Sequence, residues 1–176
     1  GGEIPYPVFT SNLHYECELV VAMKSGGYNI SESDASSHIF GYAVGLDMTR
    51  RDHQAEALAK GLPWEVTKAF DKSAPVGPVS RVEDTGVMTS GHVRLKVNGE
   101  TRQDADTADM VVDVPHALAY LSRHLTLPVP EQRVHQLPSQ RWPQPRAADG
   151  RNSCRRVLQA VETARSRARE CHDRRD

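Results

Sequence analysis

The sequence predicts an α+β fold, built mostly of strands with a few short helices. The clearest observation is a hairpin pattern: residues 92–97 alternate apolar and polar side chains, and Asn98-Gly99 follows them. Two apolar runs, 13–22 and 39–46, have the length of buried strands. Gly and Pro recur between the remaining segments of helical character, so the helices are expected to be short.

The elements follow one another without an internal repeat. The first strand continues to Met23 and ends in the glycine pair that follows. Ser31 and the acidic residues after it favour a short helix that ends near His38. Four later elements are predicted: strand 39–46, a helix over 54–61, the hairpin with its return strand 100–103, and a helix over 115–122 that starts with proline.

The chain has 176 residues, enough for one domain with a core, and a net charge of −1. This charge balance predicts neither a nucleic-acid partner nor a membrane partner, and no apolar run has the length of a membrane span. The three cysteines are widely spaced and form no zinc pattern, so a cytoplasmic location is expected. Because the chain opens without Met and without a signal-peptide pattern, we expect a truncated start.

The composition changes near residue 123. All five lysines lie at or before Lys96, whereas the segment 123–176 holds most of the arginines. Proline is frequent in the same segment and breaks regular elements. Residues 128–176 are therefore predicted to form an irregular Arg/Pro-rich tail after a core of residues 1–127. Apolar residues at helical spacing predict one late helix within the tail, over 157–171.

Two carboxylates, Glu16 and Glu18, lie two residues apart in the first apolar run. In a strand they share one face, and Cys17 points to the other. Two like charges in a half-buried strand repel each other, so either the face is open to water or a cation lies between them. Asp47 ends the second apolar run and would complete a three-carboxylate site, which favours a hard cation such as Mg²⁺.

Each of these residues also has a simpler interpretation. The Glu-x-Glu pair is typical of a solvated strand face, and Asp47 is suited to capping the helix that follows it. Arg51, Gln54 and Lys68 are, by residue type and position alone, ordinary solvated residues. From spacing alone, these alternatives stay open.

Five motifs in order resemble the fumarylacetoacetate hydrolase family. They extend over about residues 5–127 and lie at 15–19, 40–52, 68–78, 97–103 and 110–122. The phrases at 18–22 and 45–52 are most similar to its branch of fumarylpyruvate hydrolases and acylpyruvases. The resemblance implies a β-rich mixed sheet or roll with short helices, here incomplete at both ends. It also implies a homodimer.

The resemblance also implies roles residue by residue. Glu16, Glu18 and Asp47 match magnesium ligands, with Mn²⁺ or Ca²⁺ as substitutes. Arg51, Gln54 and Lys68 match positions that contact substrate, and Lys68 also matches a catalytic position. The reaction implied is hydrolysis of a carbon–carbon bond in a 2,4-dioxo acid such as fumarylpyruvate, which releases pyruvate during aromatic catabolism. Decarboxylation or isomerisation of a related oxo-acid, and an inactive metal-binding fragment, are the alternatives.

Two departures from the family pattern affect this prediction. A His and a Glu that activate water precede the Glu-x-Glu strand in the family, whereas only 15 residues precede Glu16 here, without such a pair. A Gly-Asp strand and a Thr-Gly-Thr-Pro loop, which follow in the family, are replaced after Leu127. We interpret residues 128–176 as an out-of-frame or substituted end, with a natural divergent tail as the alternative. The sequence thus predicts intact metal ligands in a chain whose activity is open.

Overall fold

The computed structural model describes residues 2–128 and the strand Val134–Leu137. Its centre is an antiparallel pair of strands, β2 (Cys17–Met23) and β3 (Ile39–Leu46). Both strands are almost entirely buried, as their continuous apolar sequences require. In register, Cys17 lies opposite Leu46, so the start of β2 meets the end of β3. This end of the pair carries the acidic residues.

The described strands form three sheets, and the central pair belongs to the largest. The largest has the order β5-β3-β2-β8, in which β5 is Ser80–Arg81 and β8 is Val134–Leu137. A second sheet joins β1 (Leu13–His14) to β4 (Thr49–Arg50), and the third is the hairpin of β6 (His92–Val97) and β7 (Glu100–Asp106).

The helices are short. They are α1 (Glu32–Ala35), α2 (Arg51–Lys60), α3 (Glu65–Lys68), α4 (Val82–Thr85) and α5 (Val114–His124), with 3-10 turns at Ser36–His38 and Thr107–Asp109. The carboxylate of Asp113 accepts a hydrogen bond from the His116 amide and caps α5. Leu118 is fully buried on the inner face of α5. Within the described residues, no helix has both the length and the apolar character needed to cross a membrane.

One apolar cluster holds these layers together. It includes Leu19 and Val21 from β2, Leu95 from the hairpin and Leu118 from α5, and each is at most 4% exposed. The hairpin therefore packs onto the central pair although its strands belong to another sheet. The burial of these apolar side chains is the main contribution to the stability of the folded chain.

The α+β class predicted from the sequence is confirmed, and four elements differ in extent. The first apolar run is divided into β1 and β2, because the chain changes partner from β4 to β3 between them. The helix expected at 54–61 begins three residues earlier, at Arg51, whose amide donates to the Asn12 carbonyl. The return strand continues to Asp106, and α5 extends slightly beyond 115–122.

The tail differs from the sequence prediction at one place. Residues 128–176 were expected to be irregular, but Val134–Leu137 forms β8 and pairs with Leu19–Ala22 of β2. The physical reason is that β2 would otherwise present unpaired N–H and C=O groups at this edge. A strand of four residues is too short to be recognised from an alternation of apolar and polar residues in the sequence. The helix predicted over 157–171 lies outside the described residues.

Candidate metal centre

The structure brings Glu16, Glu18 and Asp47 together. One carboxylate oxygen from each lies within 4.8 Å of the others. The backbones of Glu16 and Asp47 exchange two hydrogen bonds, of 3.1 and 2.8 Å, so the β2–β3 pairing extends one residue beyond the strands. Residues directly opposite each other share a face, and Glu18 joins them because it is two residues from Glu16.

The three carboxylates differ in their cationic partners. Lys68 donates from Nζ to Glu16 Oε2 and to Asp47 Oδ2, at 2.6 Å each. Arg51 donates from Nη2 to the other oxygen of Glu16. Glu18 is only 5% exposed, yet it forms no ion pair with any residue that the structure describes. Within the part of the chain that the structure describes, one buried carboxylate of the three thus has no salt-bridge partner.

The pKa values of the three groups follow from these contacts. Burial, followed by the charges of Asp47 and Glu16, raises the pKa of Glu18 to about 7. Burial also raises the pKa of Asp47, and the Lys68 ammonium only partly opposes it. For Glu16 burial acts in the same direction, but Lys68 and Arg51 together outweigh it and lower the pKa. Glu16 and Asp47 share Lys68, but the charge and hydrogen bond of Arg51 lower the pKa of Glu16 further, whereas the charge of Glu16 raises the pKa of Asp47.

Lys68 reaches this cluster from the last position of α3, a helix of four residues. The guanidinium of Arg50 contacts the chain on both sides of Lys68. It donates to the Val66 carbonyl at 3.4 Å and lies over the Phe70 ring, 4.5 Å from its centroid. Thr67, which is fully buried, anchors the helix further by donating to the Trp64 carbonyl. The position of Lys68 therefore depends on contacts with the end of β4.

Arg51 and Gln54 lie in the first turn of α2. Arg51 Nη1 donates to Gln54 Oε1 at 2.5 Å, while its Nη2 holds Glu16. Gln54 thus orients the guanidinium, and Arg51 connects the helix to the carboxylates. The capping interpretation of Asp47 is excluded, because the residue that precedes α2 is Arg50.

A strap of residues 9–12 holds the start of α2, and sequence reasoning missed it. The Asp52 carboxylate accepts hydrogen bonds from the Thr10 hydroxyl (2.6 Å) and the Ser11 amide (2.8 Å). Burial raises the pKa of Asp52, but these bonds and one from the His53 amide outweigh it and lower the pKa to about 2. The available signal was an acidic residue in the first turn of a helix.

Replacing Asp52 by Asn is expected to lower the free energy of unfolding by about 1 kcal/mol at pH 6, because the Ser11 amide loses its carboxylate acceptor. The folded pKa lies below the ordinary value of 3.8, so this contribution is full above about pH 4 and is lost as the pH falls through about 2. Urea unfolding at pH 6 and pH 3 measures it. Asp84→Asn, at an exposed position, is the control. An Asp52→Asn effect of equal size at both pH values would contradict the assignment.

The structure also places Cys17, His53 and His14, whose side chains are of types that bind metals. Cys17 points away from the carboxylates into the core, and burial together with the Glu18 charge raises its pKa to about 12. His53 lies on α2 and contacts the carbonyl of Phe9, in the strap, through Nε2. His14 lies on β1, and neither of its buried ring nitrogens bonds a described residue. Burial and the Arg51 charge lower the pKa of His14, which favours a neutral ring.

The donor set fits a hard divalent cation. All three groups are carboxylates, as Mg²⁺ and Mn²⁺ prefer, and zinc would more often recruit nitrogen or sulfur. When Glu18 is ionised it carries a buried negative charge, which a cation between the three oxygens would compensate. The ligand roles of Glu16, Glu18 and Asp47 remain a prediction that this geometry supports.

Residues 1–130 match the family described as Fumarylacetoacetate (FAA) hydrolase C-terminal. The chain belongs to this family. The resemblance inferred from the five motifs is thereby confirmed, as is the fold type.

Relatives within the family carry two different activities in their names. The chain is 40% identical to the mitochondrial oxaloacetate tautomerase FAHD1 of Bos taurus, over 72% of this chain and 58% of that protein. It is 39% identical to the fumarylpyruvate hydrolase of a Ralstonia species, over 72% of this chain and 66% of that protein. The chain thus spans less than two thirds of the length of these curated relatives.

A solved structure carries a metal and a small acid. It is the fumarylpyruvate hydrolase of Pseudomonas aeruginosa in complex with Mn²⁺ and pyruvate. The likeness has a TM-score of 0.68 and 46% identity, and it covers 70% of this chain and 53% of that one.

Proposed function

We propose that this chain forms the metal centre of an enzyme that hydrolyses a carbon–carbon bond in an acylpyruvate, with fumarylpyruvate as the expected substrate and pyruvate as a product. The observation that carries the proposal is Glu18, which is buried beside Asp47 and Glu16 without an ion-pair partner among the described residues. The relative that holds Mn²⁺ and pyruvate supports both the kind of metal and the kind of ligand. Mg²⁺ is the expected metal, with Mn²⁺ or Ca²⁺ as substitutes, and the reaction belongs to aromatic catabolism.

Glu16, Glu18 and Asp47 would hold the ion. When bound, a divalent ion supplies Lewis-acid polarisation of substrate oxygens. The role of the chain's own residues follows from their positions. Lys68 places an ammonium within 2.6 Å of two of these carboxylates, where it faces the oxygens of a bound oxo-acid and stabilises negative charge that develops on them.

Arg51 and Gln54 would bind the acid end of the substrate. The guanidinium is already oriented by Gln54 and by Glu16, so little side-chain entropy is lost when it meets a carboxylate. Arginine suits this role because its planar fork bonds both carboxylate oxygens at once. A side-chain amide at Gln54 adds a neutral donor next to the same ligand.

A second candidate is tautomerisation of an oxo-acid, and the oxaloacetate tautomerase relatives at 40% identity favour it. This reaction requires proton transfer next to a carbonyl and no attacking water. It would use the same carboxylates and the same lysine. The products distinguish the two, because only hydrolysis releases pyruvate from an acylpyruvate. A chain that binds metal and turns over neither substrate would be an inactive fragment.

The test is an assay of the full chain with fumarylpyruvate and, separately, with enol-oxaloacetate. With Mg²⁺ or Mn²⁺ we expect pyruvate to form from fumarylpyruvate, and a chelator such as EDTA to abolish its formation. Added metal should restore the rate. Tautomerisation of oxaloacetate without pyruvate release would favour the second candidate. Turnover that persists in excess chelator would contradict the metal centre for either reaction.

Assembly and location are part of the same proposal. We expect a homodimer, which light scattering coupled to gel filtration measures directly. We also expect the protein to act in the cytoplasm, without a nucleic-acid or membrane partner. These expectations come from the resemblance and from composition, and they do not affect the argument for the metal centre.

A further inference from the structure

The backbone between the two glutamates has its own support, which comes from the hairpin. Gln103 lies on β7, is 4% exposed, and accepts a hydrogen bond of 2.9 Å on Oε1 from the Cys17 amide. Cys17 itself is fully buried. The bond joins residues 86 positions apart and crosses from one sheet to another.

The geometry of β2 explains why this amide needs a side-chain acceptor. Successive residues of a strand direct their N–H groups to opposite edges. The Glu16 amide bonds the Asp47 carbonyl on the β3 edge, so the Cys17 amide points to the opposite edge. There, β8 covers Leu19–Ala22. Gln103 therefore takes the place of a neighbouring strand at Cys17.

Gln103 is held firmly enough to do this. It lies opposite Leu95 in the β6–β7 register, and Leu95 packs into the same apolar cluster as Cys17 and Leu19. The side-chain amide of Gln103 is thus held in a buried and packed position, unlike the amide of a mobile surface side chain.

We propose that Gln103 is a positioning residue of the metal centre, which fixes the Glu16-Cys17-Glu18 backbone so that both carboxylates meet Asp47. This inference rests on the proposed metal centre. Because each glutamate is one residue from Cys17, a shift of that peptide moves both side chains. Groups that orient metal ligands in this way typically change metal affinity by about 10- to 100-fold when they are removed.

The substitution Gln103→Asn tests the inference, because it keeps the amide but withdraws its oxygen by one carbon–carbon bond. We expect Mn²⁺ affinity of the full chain, measured by calorimetry, to fall about tenfold or more. Gln103→Glu retains an acceptor oxygen at the original distance and should retain Mn²⁺ binding. Amide hydrogen exchange at Cys17 should be faster in Gln103→Asn than in the unmodified chain.

The matched control is Leu95→Val, which loosens hairpin packing at the position opposite Gln103 without removing the hydrogen bond. It should lower stability and leave Mn²⁺ affinity unchanged. The inference is overturned if Gln103→Asn binds Mn²⁺ as tightly as the unmodified chain, or if Leu95→Val loses as much affinity. Failure of the unmodified chain to bind Mn²⁺ would instead overturn the metal centre and this inference with it.

Discussion

Replacing Glu18 by Gln is expected to stabilise the metal-free protein at pH 8 and to abolish the stabilisation that Mn²⁺ gives. In the folded chain the pKa of Glu18 is about 7, above its ordinary value of 4.5. The unfolded state therefore releases this proton more readily, and the folded state loses stability as the pH rises from about 4.5 to about 7. Above pH 7 the full cost applies, on the order of 3 kcal/mol at 1.36 kcal/mol per pKa unit.

The neutral amide of Gln removes this cost and also removes a metal ligand. Thermal unfolding at pH 4 and pH 8, with and without Mn²⁺, separates the two effects. Metal-free Glu18→Gln should unfold at a higher temperature than the unmodified chain at pH 8 and at nearly the same temperature at pH 4. Glu56→Gln is the control, because Glu56 is exposed and, among the described residues, its ion-pair partner is Lys60 across one helical turn.

Two outcomes would contradict this account of Glu18. One is a metal-free Glu18→Gln protein that is less stable than the unmodified chain at pH 8. The other is an equal rise in unfolding temperature on adding Mn²⁺ to Glu18→Gln and to the unmodified chain. A ligand that binds only the folded state raises its stability, so an equal rise would mean that both proteins bind Mn²⁺ equally well.

Replacing Lys68 by Met is expected to lower kcat for pyruvate release by at least about 100-fold, the typical loss for a removed oxyanion donor. The same change should raise Mn²⁺ affinity, since it removes a positive charge 2.6 Å from oxygens of Glu16 and Asp47. It should also destabilise the metal-free chain, because these two carboxylates lose their shared ammonium. The combination is diagnostic: the affinity for metal rises while turnover falls.

The control is Lys60→Met, an identical change at an exposed lysine of α2. It should alter neither kcat nor the affinity for Mn²⁺. Steady-state kinetics at saturating Mn²⁺ separates the loss of turnover from any change in metal binding. An unchanged kcat in Lys68→Met would remove Lys68 from the catalytic role and leave it as a structural counter-ion.

The carboxylate cluster was predictable only in part from local sequence, which left a solvated strand face and a helix cap open as alternatives. A period of two places Glu16 and Glu18 on one face, and the end of the second apolar run brings Asp47 to the same edge of the sheet. The burial of Glu18 was not predictable in this way. A strand whose acidic face is solvated and a strand whose acidic face is buried show the same alternation of residue types in the sequence. The structure separates them, since Glu18 is 5% exposed.

Local sequence patterns could not predict the position of a side chain that depends on contacts between distant parts of the chain. By residue type, Lys68 is a solvated lysine, and the contacts of Arg50 with Val66 and Phe70 hold α3 beside the carboxylates. The order of the family motifs indicated Lys68 where the local pattern did not. Gln103 ends the fourth family motif, but the local pattern did not indicate its partner, because Cys17 lies 86 residues away in another sheet.

The edge strand β8 could not be predicted from local sequence either. Its four residues carry too little pattern to distinguish a strand from the irregular chain expected there. What favours the strand is the exposed edge of β2, a property of the folded sheet.

The most direct test of the central claim is a calorimetric titration of the metal-free full chain with Mn²⁺ at pH 8, beside Glu18→Gln and Glu56→Gln. We expect one Mn²⁺ per chain, displaced by Mg²⁺, with binding retained in Glu56→Gln and lost in Glu18→Gln. An unmodified chain that binds no Mn²⁺, or a Glu18→Gln chain that binds it with unchanged affinity, would contradict the assignment of Glu16, Glu18 and Asp47 as the metal centre.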